Sequence, residues 1–402
     1  MNKIKINAGL DIGNGYVKGA TKTNDADNVN IDIPSCVATV ANPTDLAVID
    51  VAAEIEDIFN RANVTFDSPL VTGIFATTRS YLGRRGVESG KSIAVFDIDG
   101  HKSKAEQPLS AVLVLSIIAS AALQNYYRTN KALPTDTLYV ESKTALALPI
   151  TEYKSYRDRF SEGFTKASHF VCFHNFETPV RVEIKFERVS VIAEGASAQV
   201  AIVSKGEKFM DALLKDVRAN GIKLEGITAK DIIEATGTLG IDIGEGTVNF
   251  PVFTGTQFNT DFSANISSGY GTVLENSLAP LQAANNVFHD RKSLGEFLQC
   301  TPSALKRHKY DNAVAIVNAE SMTLVDAIVK EFTRILNKAN GQIEVVYVYG
   351  GGASPLREQL YPALIQAAKN FSAGDEFPIM YLDSRYSRFL NREGLFQLAS
   401  RK

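Results

Sequence analysis

Residues 343–349 read IEVVYVY, an apolar, β-branched and aromatic run that predicts a strand, and they pass directly into Gly350-Gly351-Gly352-Ala353-Ser354-Pro355. The following LREQLYPALIQAAK places Leu356, Leu360, Ala363, Leu364 and Ala367 on one helical face. Strand, glycine turn and helix N-terminus in that order can accept an anionic group, although glycines also punctuate ordinary α/β turns. Residues 189–198, VSVIAEGASA, show the same layout: an apolar strand ends at Glu194, and small residues open a helix. Glu194 reads either as a carboxylate that favours a helix N-terminus or as a catalytic group. The most apolar segment, residues 109–123, contains Ser110, Ser116 and Ser120 and falls short of the roughly 20 residues that span a bilayer. It predicts a buried helix.

Comparing the chain with itself gives the strongest signal. Residues 9–17 read GLDIGNGYV and residues 240–248 read GIDIGEGTV, with six of nine positions identical. Each copy follows a short apolar strand and precedes another alternating segment, so each predicts a β-hairpin closed by a tight glycine turn. Asn14-Gly15 is a strong two-residue hairpin signal because both positions tolerate positive φ, and Glu245-Gly246 is a weaker turn in the same place. A glycine turn leaves backbone N–H groups open to a phosphate. Lys18 can neutralise phosphate charge and Thr247 can donate a hydroxyl hydrogen bond. In both copies an aspartate, Asp11 or Asp242, ends the incoming strand. If two lobes face each other these carboxylates converge, and hydrated Mg²⁺ is the natural cation to separate them. One such turn alone is unremarkable in a hairpin; the second copy with its aspartate in register favours the chemical reading.

Length and composition widen the picture without redirecting it. The 402 residues suit two lobes, each able to bury a core, and 45% hydrophobic with 22% charged residues are the proportions of a globular chain. A net charge of −3 gives no electrostatic reason to bind DNA or an anionic membrane directly. Cys36, Cys172 and Cys300 are odd in number and lack metal-ligand spacing, which predicts buried, reduced thiols in a cytoplasmic protein. The N-terminal MNKIKI lacks the apolar core of a signal peptide.

The four elements in this order resemble the actin, Hsp70 and sugar-kinase superfamily, and within it the bacterial actin-like ParM/StbA plasmid-segregation family. GLDIGNGYVK is similar to the first phosphate motif, VIAEGASA to the first connecting segment, GIDIGEGT to the second phosphate motif, NISSGYGTVLENSL to the second connecting segment and VYVYGGGAS to the adenosine motif. The segment ALPITEY at 147–153, the HDRK at 289–292 and the terminal SRFLNREGLFQL at 387–398 are similar to further family segments, although Arg392-Glu393-Gly394 departs from the usual Asn-Gly. The likeness is weakest from about residue 25 to 107.

The resemblance implies an α/β, two-lobed actin-like ATPase fold, with two RNase H-like domains around a nucleotide cleft. It implies lobe I at 1–235, with a peripheral subdomain at about 30–110 that contains turns such as Ala41-Asn42-Pro43-Thr44-Asp45. Lobe II follows at 236–385, and a final helix at 386–402 returns to lobe I. By position, Asp11 and Asp242 would hold Mg²⁺ through water, with Asp242 also placing the lytic water and Glu194 activating it. Gly13, Asn14, Gly15, Lys18, Gly244, Gly246 and Thr247 would bind the phosphates of ATP, with GTP left open as the alternative. Gly269, Gly271, Gly351, Gly352 and Ala353 would line purine and ribose, with Arg291 or Lys292 beside the base. The implied partners are further copies of the chain in a head-to-tail filament and a DNA-binding adaptor at a plasmid centromere-like site, with no direct contact to nucleic acid or membrane. The competing expectations are a small-molecule kinase of the same superfamily and a non-polymerising actin-like scaffold. An Hsp70-type chaperone is disfavoured, because too little chain follows Gly352 for a peptide-binding domain.

Overall fold

The computed structural model describes residues 3–24, 26–43, 50–97, 102–371, 378–387 and 389–401, so Met1, Asn2, Thr44, Asp45 and Arg388 of the segments quoted above lie outside the described residues. The chain forms two compact units, Met1–Ala201 with Asn391–Lys402, and Ile202–Leu390.

Among the described residues of the first unit ten strands form one sheet: β1 Ile4–Ile12, β2 Tyr16–Thr23, β3 Val29–Pro34, β4 Val37–Val40, β5 Asn63–Asp67, β6 Arg79–Leu82, β7 Ile93–Ala94, β8 Leu138–Leu148, β9 Ser168–Phe173 and β10 Val180–Ala193. Their order is β3-β2-β1-β8-β10-β9-β5-β6-β4-β7, which puts β5, β6, β4 and β7 of the expected peripheral stretch at one edge and β3, at its start, at the other. β1, β8 and β10 run parallel, with Leu10 opposite Leu146 and Leu148 opposite Ala193, so their carboxyl ends share one rim. Open α/β sheets place their ligands beyond such a rim.

The side-chain period of two decides what covers each face. Leu146 and Leu148 join Leu10, Ile12 and Val189 in the main core together with the helix Pro108–Asn130. Ala145 and Ala147 point the other way and pack with Leu395 and Ala399 of the helix Leu390–Ser400. The helix expected at 109–123 is longer than the sequence suggested, at 23 residues. It and the segment Ala304–Ala339 are long and apolar enough to cross a membrane by length and composition; 89% of the first one's most apolar window is buried inside the protein and 33% of the second's.

The second unit is built on β11 Gly237–Ile243. β12 Val248–Phe250 and β13 Val252–Thr254 pair antiparallel with its two ends, and β14 Gln257–Phe258 and β15 Ala264–Ile266 extend that side. β16 Val345–Tyr349 runs parallel to β11, followed by β17 Ile379–Tyr381. The long helices Arg307–Ala339 and Ala353–Phe371 pack together beside this sheet.

Two sequence expectations need correction here. Residues 202–235, assigned to lobe I, belong to the second unit. The helix Glu207–Ala219 buries Met210, Leu213, Leu214 and Val217, packs against β17, and is tied to the helix Ala353–Phe371 by the Arg357–Asp216 ion pair at 2.7 Å. The thiols are not all buried: Cys36 and Cys172 are half-buried and Cys300 is exposed. Burial pushes the thiol pKa of Cys36 and Cys172 up.

Candidate functional site

The two repeated motifs fold into the same local structure. In the first unit β1 and β2 form an antiparallel hairpin with Asp11 opposite Lys18, and the Gly13 N–H donates to the Tyr16 carbonyl at 3.0 Å. In the second, β11 and β12 form the matching hairpin with Asp242 opposite Asn249, and the Gly244 N–H donates to the Thr247 carbonyl at 2.9 Å. The reason for the glycines differs from the sequence argument. Asn14, Gly15, Glu245 and Gly246 are absent from the positive-φ positions among the described residues. What Gly15 and Gly246 provide is room: a methyl group on either would meet nothing within 4 Å. Asn14 and Gly15 are exposed, while Asp11 is half-buried and Asp242 is 7% exposed.

Around the second hairpin the structure brings together the glycines that the sequence left scattered. The Tyr270 N–H donates to the Gly244 carbonyl at 3.0 Å, and the Gly271 N–H to the Glu245 carbonyl at 2.8 Å. These bonds seat the first turn of the helix Tyr270–Ala283, whose N-cap is Gly269, on the turn at 244–246. A side chain at 269 would lie 2.6 Å from the Gly244 and Glu245 carbonyl oxygens, which explains the glycine there. From the other side the Gly352 N–H donates to the Ile243 carbonyl at 2.8 Å, bringing in the N-terminus of the helix Ala353–Phe371. Two helix N-termini therefore meet one glycine turn, and their partial positive charge suits an anion. Tyr349, the last residue of β16, lies opposite Asp242 in register. Arg291 reaches this cluster through Glu245 at 3.1 Å, whereas Lys292 turns along its own helix to Glu296 at 4.0 Å. Burial, with Tyr310 as a smaller cause, pushes the Tyr270 hydroxyl up to about 12, so this ring stays neutral at ordinary pH.

Gly350 lies close against the carboxylate of Asp242. Its φ is +99°, a region other residues rarely enter, and a methyl group there would lie 2.5 Å from Asp242 Oδ1. Gly350→Ala is expected to destabilise the second unit by about 1–3 kcal/mol, a fall of roughly 2–12 °C in melting temperature by calorimetry. An unchanged melt would show that the backbone relaxes freely at this point.

Glu194 sits where β10 ends, and its N–H donates to the Leu148 carbonyl at 2.7 Å. The next residue, Gly195, takes a φ of +79°, which turns the chain into the helix Ala196–Ser204. Sequence reasoning missed the partner of Glu194. Lys104 Nζ lies 2.7 Å from Glu194 Oε1 and donates to the Ile12 carbonyl at 2.9 Å. The side chains of Lys104 and Glu194 are 8% and 18% exposed. Lys104 sits in a one-turn 3₁₀ helix, Lys104–Glu106, and nothing in the local sequence marks it as unusual. Glu152, in the first turn of the helix Ile150–Thr165, completes the group. Burial raises its carboxyl above the ordinary range, opposed by N–H groups and the ammonium of Lys104. Glu152 belongs to the ALPITEY segment, which was the available signal.

Among the described residues no group of three or more His, Cys, Asp and Glu side chains is arranged to hold a metal. Each hairpin instead carries one carboxylate, Asp11 or Asp242, and an oxygen donor of this kind suits a hydrated Mg²⁺ better than a softer ion.

Residues 9–196 match the family model described as the actin-like proteins N-terminal domain, and residues 240–361 match the C-terminal model of the archaeal actin homologue MreB-like proteins. The two matches contain every candidate residue named above. ParM from Bacillus thuringiensis, solved with ATP, is 16% identical with a TM-score of 0.60 over 99% of this chain and 98% of that one. The same protein solved with AMPPNP is 17% identical, with a TM-score of 0.59 over 99% of each chain. The archaeal actin homologue Ta0583 is 12% identical with a TM-score of 0.58 over 98% of each chain. None of the curated proteins searched matches this sequence. With the same aspartate hairpin built once in each unit, and an actin-like family model matching each of the two motifs, the chain has the two-lobed α/β fold of the actin-like proteins.

Proposed function

We propose that this chain binds ATP with Mg²⁺, hydrolyses it, and couples hydrolysis to the assembly and disassembly of filaments that move plasmid DNA through an adaptor protein. The observation that carries the nucleotide reading is the repeated hairpin, with one closing bond, one aspartate register and one open glycine in each copy. In this reading one triphosphate uses both turns. The N–H groups around Gly13–Gly15 and Gly244–Gly246 receive its phosphates, Lys18 neutralises charge and Thr247 adds a hydroxyl. Asp11 and Asp242 would hold Mg²⁺ through its waters, and the ion would supply further charge neutralisation. Gly269, Gly271, Gly351, Gly352 and Ala353 flank the purine and ribose, with Arg291 at the edge through Glu245. Glu194 orients and polarises the attacking water. Such a reaction depends on positioning and electrostatics more than on covalent chemistry.

ATP-bound subunits joined by a head-to-tail contact that does not close would give a polar filament. The state of the nucleotide then biases assembly by its differential affinity for the two conformations. The filament and plasmid steps rest on the family resemblance. Sedimentation tests them: at tens of micromolar the protein is expected to pellet with ATP and Mg²⁺ and to return to the supernatant as phosphate is released. A protein that hydrolyses ATP yet never pellets across a range of salt would remove the cytoskeletal part and leave the ATPase.

A further inference from the structure

Lys104 occupies an unusual position for a lysine. Its ammonium is almost completely enclosed, a placement lysine takes only when its charge is paired. Of its three N–H donors, one meets the carbonyl that ends β1 and one meets the carboxylate that ends β10. These strands are not neighbours, because β8 lies between them. The lysine therefore ties together two strand ends on the rim, one carrying the first glycine hairpin and the other carrying Glu194. The Phe96 ring lies 5.6 Å from the ammonium. Glu152 adds a second carboxylate nearby, and its Oε2 is buried without a hydrogen-bond partner among the described residues. Neutralising Glu194 alone would not require a bond to Ile12 as well. The second bond fixes where the carboxylate sits relative to the turn.

We propose that Lys104 is a positioning residue for ATP hydrolysis, clamping Glu194 at a set distance from the hairpin that follows Asp11. The proposal rests on the ATPase reading given above. Lys104 touches no phosphate in this scheme. It acts on the rate only through the placement of Glu194, and displacing a catalytic group by about 1 Å can slow a reaction on the order of a hundredfold.

The test uses the full chain in four forms: parent, Lys104→Met, Glu194→Gln and the double variant. Phosphate release at saturating ATP is measured beside the affinity for a fluorescent ATP analogue. Lys104→Met is expected to leave affinity within about threefold while slowing release roughly tenfold to a hundredfold. In the Glu194→Gln background it should slow release no further, because the group it positions is already disabled. A parent-like rate for a folded Lys104→Met, or an equal further loss in the double variant, overturns the proposal and leaves the ATPase reading intact. A parent that binds and hydrolyses no ATP overturns both. Should Lys104→Met fail to fold, Lys104→Arg decides the matter. It keeps the charge and alters the donor geometry, so a lower kcat with unchanged KM supports positioning, and a parent-like kcat overturns it.

Discussion

Glu194→Gln is expected to bind ATP as the parent does and to release phosphate about 10²–10⁴-fold more slowly, the usual contribution of one positioned acid or base. Glutamine keeps the shape and can still accept the hydrogen bond from Lys104, but it cannot draw a proton from water. Alanine makes a poorer test at this site. It would leave the buried ammonium of Lys104 with neither the carboxylate nor the accepting amide oxygen that glutamine keeps, and removing one member of a buried pair outright costs about 3–5 kcal/mol. Lost activity in Glu194→Ala would therefore mix chemistry with folding. Single-turnover phosphate release, with nucleotide affinity measured on the same sample, separates the two. Parent-like turnover in a folded Glu194→Gln would move the catalytic role elsewhere, and Glu194 would then be a structural anion for Lys104.

Filaments provide a second view of the same variant. If hydrolysis destabilises assembly, Glu194→Gln should pellet with ATP and remain in the pellet long after the parent has redissolved. That result ties the chemistry to disassembly without any change at a subunit contact.

The repeat was legible because its residues are nearly the same in both copies, and backbone hydrogen bonding follows the local sequence. The physical reason for its glycines was not legible. Asn-Gly suggested positive φ, yet the structure uses Gly15 and Gly246 as open space. Lys104 was invisible for another reason: its partners, Ile12 and Glu194, are 92 and 90 residues away, and no local pattern announces a contact at that range. The segment 202–235 was misplaced because an amphipathic helix such as Glu207–Ala219 shows that it needs a partner without naming one. Gly9 was counted as part of the phosphate motif because it repeats at Gly240, and the structure gives it a different job.

Gly9 and Gly394 are expected to be the most sensitive glycines in the first unit, and neither faces a ligand in the proposed site. A methyl group on Gly9 would overlap the backbone N of Phe396 and lie 2.5 Å from the Leu395 carbonyl carbon. A methyl group on Gly394 would overlap the carbonyl oxygen of Ser197 and lie 2.5 Å from its carbon. Both contacts set the helix Leu390–Ser400 against backbone rather than against side chains, so no rotamer change relieves them. This also accounts for the Arg392-Glu393-Gly394 sequence, where glycine is kept although the usual preceding asparagine is absent. Overpacking of this kind costs about 3 kcal/mol or more, and Gly9→Ala and Gly394→Ala should each lower the melting temperature by roughly 6–12 °C. Gly15→Ala and Gly246→Ala supply the contrast. Their added methyl groups meet no protein atom, so their melts should stay within about 2 °C of the parent. They should nevertheless weaken ATP binding, because the methyl group occupies space that the proposal gives to phosphate. Calorimetry and nucleotide titration on the four variants would sort the glycines into two classes. Loss of stability in Gly15→Ala with parent-like ATP affinity would show that the open turn is structural, and would remove one of the two phosphate grips on which the nucleotide reading depends.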